Sequence, residues 1–204
     1  HPVAHSFPTR RSSDLFTRDS YPSWINTYVP DFEGHFWAPE CVYMDGRYCL
    51  YYSCSTWGSK VSCIGLVTNT TLNPRDPGYL WEDQGVVVYS NQGSEANCID
   101  PSVFRDENGE YYLTYGSYFG GIRIVELDSV SGKVSGSYHY PVASGDCEAS
   151  CVIPHGGWYY LFINRGQCCR GASSTYYIQA GRSDSPTGPF LDREGVDLDQ
   201  GGGT

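Results

Sequence analysis

The sequence predicts an all-β fold, a β-propeller in which several short-stranded sheets stand around a central axis. Three observations predict it. The composition is one: 18 tyrosines, 5 tryptophans and 24 glycines against a single methionine favour aromatic strands joined by tight turns over a helical bundle. An internal repeat is the second. APECVYMDGRYCLYYSC from Ala38, DPSVFRDENGEYYLTYGS from Asp100 and EASCVIPHGGWYYLFINRG from Glu148 each run from a small or acidic residue into an apolar strand, a turn and an aromatic strand. The third is a further strand-like segment after each: SCIGLVTN, GIRIVELD and TYYIQAGRS. A β-sandwich would explain the strands but not the shared openings.

Taken in order, the first fifteen residues stand apart. Ser6 to Leu15, SFPTRRSSDL, is basic and unpatterned, and a nucleotide sequence encoding Phe7 to Leu15 resembles a common short-read sequencing adapter. Residues 1–15 are therefore expected to be a non-native, disordered segment, and residues 16–204 a partial propeller. The hairpin turns of the three repeats are Asp45-Gly46, Glu107-Asn108-Gly109 and His155-Gly156-Gly157, each a strong turn signal. At the other end GGGT, Gly201 to Thr204, reads as the opening of a further element, so the chain is expected to be an internal fragment. It lacks the Lys-Ser/Thr and following helix of a phosphate loop.

The bulk numbers exclude several classes. The formal net charge of −10 disfavours a nucleic-acid partner. No run of eighteen apolar residues exists to span a membrane. Nine cysteines and the acceptor triplet Asn69-Thr70-Thr71 fit an oxidising compartment and a secreted, extracellular protein. The odd count leaves one thiol over, or a partner outside this chain. The adjacent Cys168 and Cys169 can bridge each other, take separate partners or stay reduced. Cys147 and Cys151, flanking Glu148, are poorly spaced on an extended segment to bridge each other.

In a propeller the innermost strands line the axis, so equivalent strand starts converge. Asp100 and Glu148 align at one repeat position, held by Ala38 in the first repeat, and two carboxylates distant in sequence would become neighbours. Each has a plainer reading: Asp100 can start a turn before Pro101, and Glu148 can be a surface residue. Around them Phe36, Trp37, Tyr118 and Phe119 offer faces for sugar C–H surfaces, Ser117 a hydroxyl and Arg170 a cation; core packing is the alternative for each aromatic. The paired glycines of GSYFGG would let the backbone approach a ligand. His35 and His139 belong to no cluster with zinc-site spacing, and no metal ligand is assigned.

HFWAPE (His35 to Glu40), IDPSVF with YYLTYGSYFGGIRIVELD, and EAS…GGWYYLFINRGQCCRG…STYYIQAGRSDSPTGPF resemble blocks of glycoside hydrolase family 43, the arabinanase branch. The resemblance runs from about Phe16 to Thr204. It implies a five-bladed β-propeller, of which about three blades are present (blades two to four and the entry to blade five). It implies an inverting hydrolase acting on a polysaccharide, an endo-1,5-α-L-arabinanase, with an arabinofuranosidase or β-xylosidase on the same fold as alternative. A non-catalytic carbohydrate-binding propeller is the alternative from another class. Glu148 would be the general acid and Asp100 the residue that tunes and orients it. The general base would be an aspartate of blade one in a His-Asp-Pro context; Asp14 and Asp19 lack that context. The resemblance implies no cofactor in this stretch, calcium in the complete protein, and a monomer when complete. The family often has Glu-Ala-Pro where this chain has Glu148-Ala149-Ser150. A lone three-blade piece is expected to be poorly soluble and inactive.

Overall fold

Alternation of apolar and polar residues, one face inward and one outward, is what turns these segments into strands. In β9 (Cys147–His155) Ser150 and Val152 are buried while Cys151 and Ile153 are exposed. The computed structural model describes residues 15–18 and 20–203. Residues 1–14 of the expected adapter-derived segment, with Asp14, and also Asp19, lie outside the described residues.

Among the described residues, eleven strands form three antiparallel sheets. The first runs in order through β1 (Phe36–Met44), β2 (Arg47–Ser55), β3 (Ser62–Asn69) and β4 (Glu82–Ser90). The second holds β5 (Ser102–Arg105), β6 (Tyr111–Ser117), β7 (Gly121–Leu127) and β8 (Tyr140–Ala143). The third holds β9, β10 (Trp158–Arg165) and β11 (Tyr177–Ser183), and an isolated bridge from Arg182 to Leu191 adds a short outer edge. Each sheet is a meander, so neighbours in sequence are neighbours in space. The tight turns fall where the sequence places them: Met44 pairs Arg47 across Asp45-Gly46, and His155 pairs Trp158 across Gly156-Gly157. The outer strands β4 and β8 carry no sequence signal comparable with the repeat and were not expected.

The sheets stack face to face as successive blades, with the innermost strands β1, β5 and β9 next to one another. Between the first two sheets Met44, Tyr51 and Leu66 meet Leu113, Val125 and Leu127. Between the second and third, Ile122, Ile124 and Val142 meet Leu161, Ile163 and the loop residues Phe190 and Leu198. The far face of the first sheet is covered by the segment before β1, where Ile25, Val29 and Phe32 pack on Tyr52, Cys54, Cys63 and Val67. Covered on both faces, β3 is buried along its whole length.

Two expectations are corrected here. Asn69 is only 3% exposed, and its Oδ1 accepts from the N–H groups of Thr71 and Leu80, both at 3.3 Å. Folded, it cannot be reached as a glycosylation acceptor. All nine cysteines are free thiols, so none of the bridges weighed from the sequence is formed. Among the described residues no helix is long and apolar enough to cross a membrane.

Candidate active site

Three irregularities in three innermost strands build the site. In β1 the pairing with β2 skips from Trp37–Ser53 to Glu40–Tyr51, leaving Ala38-Pro39 as a bulge. In β9 it skips from Asn164–Glu148 to Phe162–Cys151, leaving Ala149-Ser150. In the second sheet the Gly116 N–H donates to Ile99 O (3.0 Å) before Ser102 pairs Thr114, so Asp100-Pro101 is the bulge. The first bulge residue is left-handed each time: Ala38 (φ 46°), Asp100 (φ 55°) and Ala149 (φ 50°). Such a backbone is strained for a residue with a Cβ, and strain of this kind re-aims side chains beside functional sites.

This register corrects the repeat alignment. Asp100 is equivalent to Ala149 and Ala38, and Glu148 sits one position earlier, equivalent to Ile99 and Trp37. The carboxylates interact from adjacent rather than identical repeat positions.

The pair is fixed from both sides. The Asp100 N–H donates to Ser53 Oγ of β2 at 3.0 Å, and Ser53 is fully buried. The Asp100 carboxylate faces the Ala149 N–H, across the gap between second and third blades. Burial pushes Asp100 up to about 6, against that N–H, which favours the anion. Glu148 is raised to about 7, first by burial and then by the charge of Asp100. The asymmetry has a simple origin. The group that ionises first meets a neutral neighbour, and the second must ionise against a charge already present. Between about pH 6 and 7 the pair therefore favours a single proton, held chiefly by Glu148, beside a more fully ionised Asp100: an acid able to give up a proton and a partner that carries charge.

Ser150, where the other two bulges have proline, also has a partner. Its Oγ donates to Thr114 Oγ1 (2.9 Å), which in turn donates to Ser102 O (3.3 Å), so the hydroxyl ties β9 to the second blade. Glu40, which sequence reasoning did not single out, plays a related part. Its carboxylate takes the Val103 N–H of β5 and is raised by burial, clamping first blade to second.

The other expected site residues divide. Tyr118 stands by the acid: its phenol is pushed up to about 12 by burial, then by Glu148, and its hydroxyl donates to Gly166 O of the third blade. Phe119, next to it, is 43% exposed. Trp37 is partly buried and packs edge-on to Trp57 at 6.2 Å, Trp57 being 85% exposed. Arg170 is exposed on the loop after β10, its N–H held by Ser174 Oγ at 3.0 Å. Two expected contacts are corrected. Phe36 belongs to the apolar cluster under the first sheet, its ring 5.0 Å from Phe32, 5.1 Å from Phe16 and 5.7 Å from Tyr52. Ser117 is 3% exposed, and its Oγ accepts from Asn97 Nδ2 at 2.9 Å, a structural link in place of a sugar contact. The glycines of GSYFGG likewise serve packing of the chain on itself: a Cβ on Gly120 would lie 1.9 Å from Glu95 O, and one on Gly121 2.1 Å from Ala143 O.

His35 lies 3.7 Å from Glu33, and His139 Nδ1 contacts the Tyr115 hydroxyl. Among the described residues no group of His, Cys, Asp and Glu side chains is placed to hold a metal ion. The calcium implied for the complete protein finds no donor set there, and no step below involves it.

Comparison with known proteins identifies the fold and the family. The model of glycosyl hydrolases family 43 matches residues 2–200. An extracellular exo-α-(1→5)-L-arabinofuranosidase of Cellvibrio japonicus is 38% identical over 90% of this chain and 57% of its own length. An extracellular endo-α-(1→5)-L-arabinanase of Bacillus subtilis is 39% identical over 89% of this chain and 56% of its own. The solved structure of a Cellvibrio cellulosa α-L-arabinanase complexed with arabinohexaose superposes with a TM-score of 0.84 at 36% identity, over 90% of this chain and 64% of that one. The chain thus spans somewhat more than half the length of these relatives. The three sheets are blades of the propeller these structures share, and the chain belongs to glycosyl hydrolases family 43.

Proposed function

We propose that the protein to which this chain belongs hydrolyses α-1,5-linked arabinan by single-displacement inversion, with Glu148 as general acid and Asp100 as the residue that tunes and orients it. One observation supports the reading: two carboxylates from different blades interact, and burial together with the charge of Asp100 raises Glu148 to about 7. Inversion needs an acid on the leaving oxygen and a base on a water across the sugar, roughly 6.5–9.5 Å away. The proposed base is the aspartate of a His-Asp-Pro triplet, which does not occur in these 204 residues. Activity is therefore proposed for the longer protein, with residues 1–15 as non-native sequence. Calcium, if the protein uses it, is proposed to bind outside the described residues.

Trp37, Phe119 and Tyr118 are the proposed sugar-facing aromatics, with Arg170 as a polar contact from the opposite loop. The extracellular relatives support secretion, and the arabinohexaose bound by the Cellvibrio cellulosa protein supports a polysaccharide substrate. The relatives include both an exo- and an endo-acting enzyme, so release of single sugars from chain ends is the second reading.

The test is reducing-sugar release from debranched arabinan by the full-length protein and its Glu148→Gln variant. The expected loss is about 10²–10⁴-fold, and much less on an aryl arabinoside whose leaving group needs no proton. An unchanged rate on arabinan removes Glu148 from the acid role. Mixed oligomers as early products identify endo action, and arabinose or one fixed short product identifies exo action.

A further inference from the structure

The hydrolytic reading leaves the Cys168-Cys169 pair without a task. It lies on the loop between β10 and β11, with its two Sγ atoms 2.9 Å apart. Cys169 is exposed and left-handed (φ 62°), and Cys168 is partly exposed. The loop beneath is well tied. Gln167 O accepts the Thr175 N–H (2.9 Å), the Gln167 N–H donates to Thr175 Oγ1 (3.0 Å), and Tyr118 holds Gly166 from the second blade. The pair also lies within electrostatic reach of the acid: Glu148 acts on the Cys168 thiol, and both act on the Tyr118 phenol. Cys169 is the one cysteine with which Cys168 interacts among the described residues. Cys147, on the other side of Glu148, is fully buried with its Sγ turned to Ser144 O at 3.7 Å.

We propose that Cys168 and Cys169 are a redox-modification site, closing by exchange with a disulfide oxidant into a vicinal disulfide within electrostatic reach of Glu148. The thiolate of the exposed Cys169 attacks the oxidant, forming a mixed disulfide and releasing one thiolate. Cys168 then loses its proton and attacks the Cys169 sulfur, forming the internal S–S bond and releasing the second thiolate. Two S–H groups are oxidised and one disulfide oxidant is reduced to two thiols. The first step eases the second. Cys168 is raised to about 11 chiefly by its hydrogen bond with Cys169, then by burial, and the mixed disulfide removes that hydrogen bond. Ring closure replaces two thiols with a rigid, polarizable surface beside the acid.

The chemistry can be read by mass, independently of hydrolysis, so the result stands whether or not Glu148 is the acid. The tryptic peptide Gly166–Arg170 contains both cysteines and no other. The chain, reduced and then treated with oxidised glutathione at mildly alkaline pH, is quenched with an alkylating agent and digested. The expected peptide lacks two hydrogen masses and carries no alkyl group, while Cys41 and Cys151, exposed and without an adjacent cysteine, carry alkyl or glutathionyl groups. In Cys168→Ser and Cys169→Ser the remaining thiol is expected to end as a single adduct. Two alkyl groups, two glutathionyl groups or a cross-link to another peptide at Cys168-Cys169 would overturn the proposal.

Discussion

At the scale of single residues, the site is a balance between burial and charge, and Asp100→Asn reads both sides of it. Burial raises Asp100 to about 6, above an unfolded value near 3.9. Below about pH 4 the carboxyl is neutral in both states. As pH rises through this window the unfolded chain releases the proton while the folded chain keeps it, so stability falls and levels off above the folded value. A shift of that size corresponds to about 2–3 kcal/mol. Asparagine has no such charge and tolerates the left-handed backbone at φ 55°. Asp100→Asn is therefore expected to melt higher than the native chain at pH 8, by roughly 4–10 °C for a domain of this size, and to match it near pH 4. A gap that stays constant with pH would contradict a buried charge at this position. The same substitution acts on catalysis with the opposite value. The Asp100 charge helps hold Glu148 at about 7. Its loss should move the alkaline limb of the kcat/KM profile of the full-length protein to lower pH, besides lowering the rate. A limb that stays in place would mean that burial alone sets the acid. Stability and activity are opposed at this residue because the feature that makes it useful is a charge held away from water.

At the scale of elements, the innermost strands are defined by their bulges, and this is where sequence and structure diverge most instructively. The three hairpins and their third strands were legible, because Asp45-Gly46 and Gly156-Gly157 are turn signals and period-two alternation is visible in β9 and β10. The convergence of Asp100 and Glu148 was legible through the repeat, but its register was not. Matching acid to acid set Glu148 opposite Asp100, whereas the backbone matches Ala149 to Asp100; a bulge adds a residue without leaving a mark in an apolar-polar pattern. Phe36 and Trp37 show the same limit. They are adjacent aromatics of like propensity, and only the segment packed against the first sheet makes one of them core. In that register Ser150 stands in a proline position and works through its hydroxyl. Thr114 both accepts from Ser150 and donates to Ser102 O, so the two partners are not equivalent. Thr114→Val strands a buried hydroxyl and a carbonyl and should cost about 1–3 kcal/mol. Ser150→Ala leaves Thr114 its bond to Ser102 and should cost less, about 0.5–1.5 kcal/mol. Urea midpoints of the two variants check the order, and a larger loss in Ser150→Ala would contradict the hydrogen-bond direction.

At the scale of the whole molecule, the two outer faces of the stack differ. The first sheet is sealed by Ile25, Val29 and Phe32. The third is not. Its register aligns Cys151, Phe162 and Ala180 in one row and Ile153, Tyr160 and Arg182 in the next, on the face away from the second sheet. Ile153 is 49% exposed and Ile178, on the same face, 70%. The opposite face of the same strands carries Val152, Leu161 and Ile163, all buried against the second sheet. A blade with two apolar faces is built to be covered on both, and each large aliphatic side chain left in water forgoes about 1.5–3 kcal/mol. The described chain should therefore self-associate through this face, with a sedimentation coefficient that rises with concentration. Ile153→Lys together with Ile178→Lys puts charges on the face without touching the buried side of the blade, so the far-ultraviolet circular dichroism should be unchanged while the concentration dependence disappears. A native chain that sediments as a monomer at every concentration would show that this face does not drive association, and a doubly substituted one that still associates would show that the contacts between copies lie elsewhere, on the first sheet or along the part of the β11 edge that Leu191 leaves unpaired.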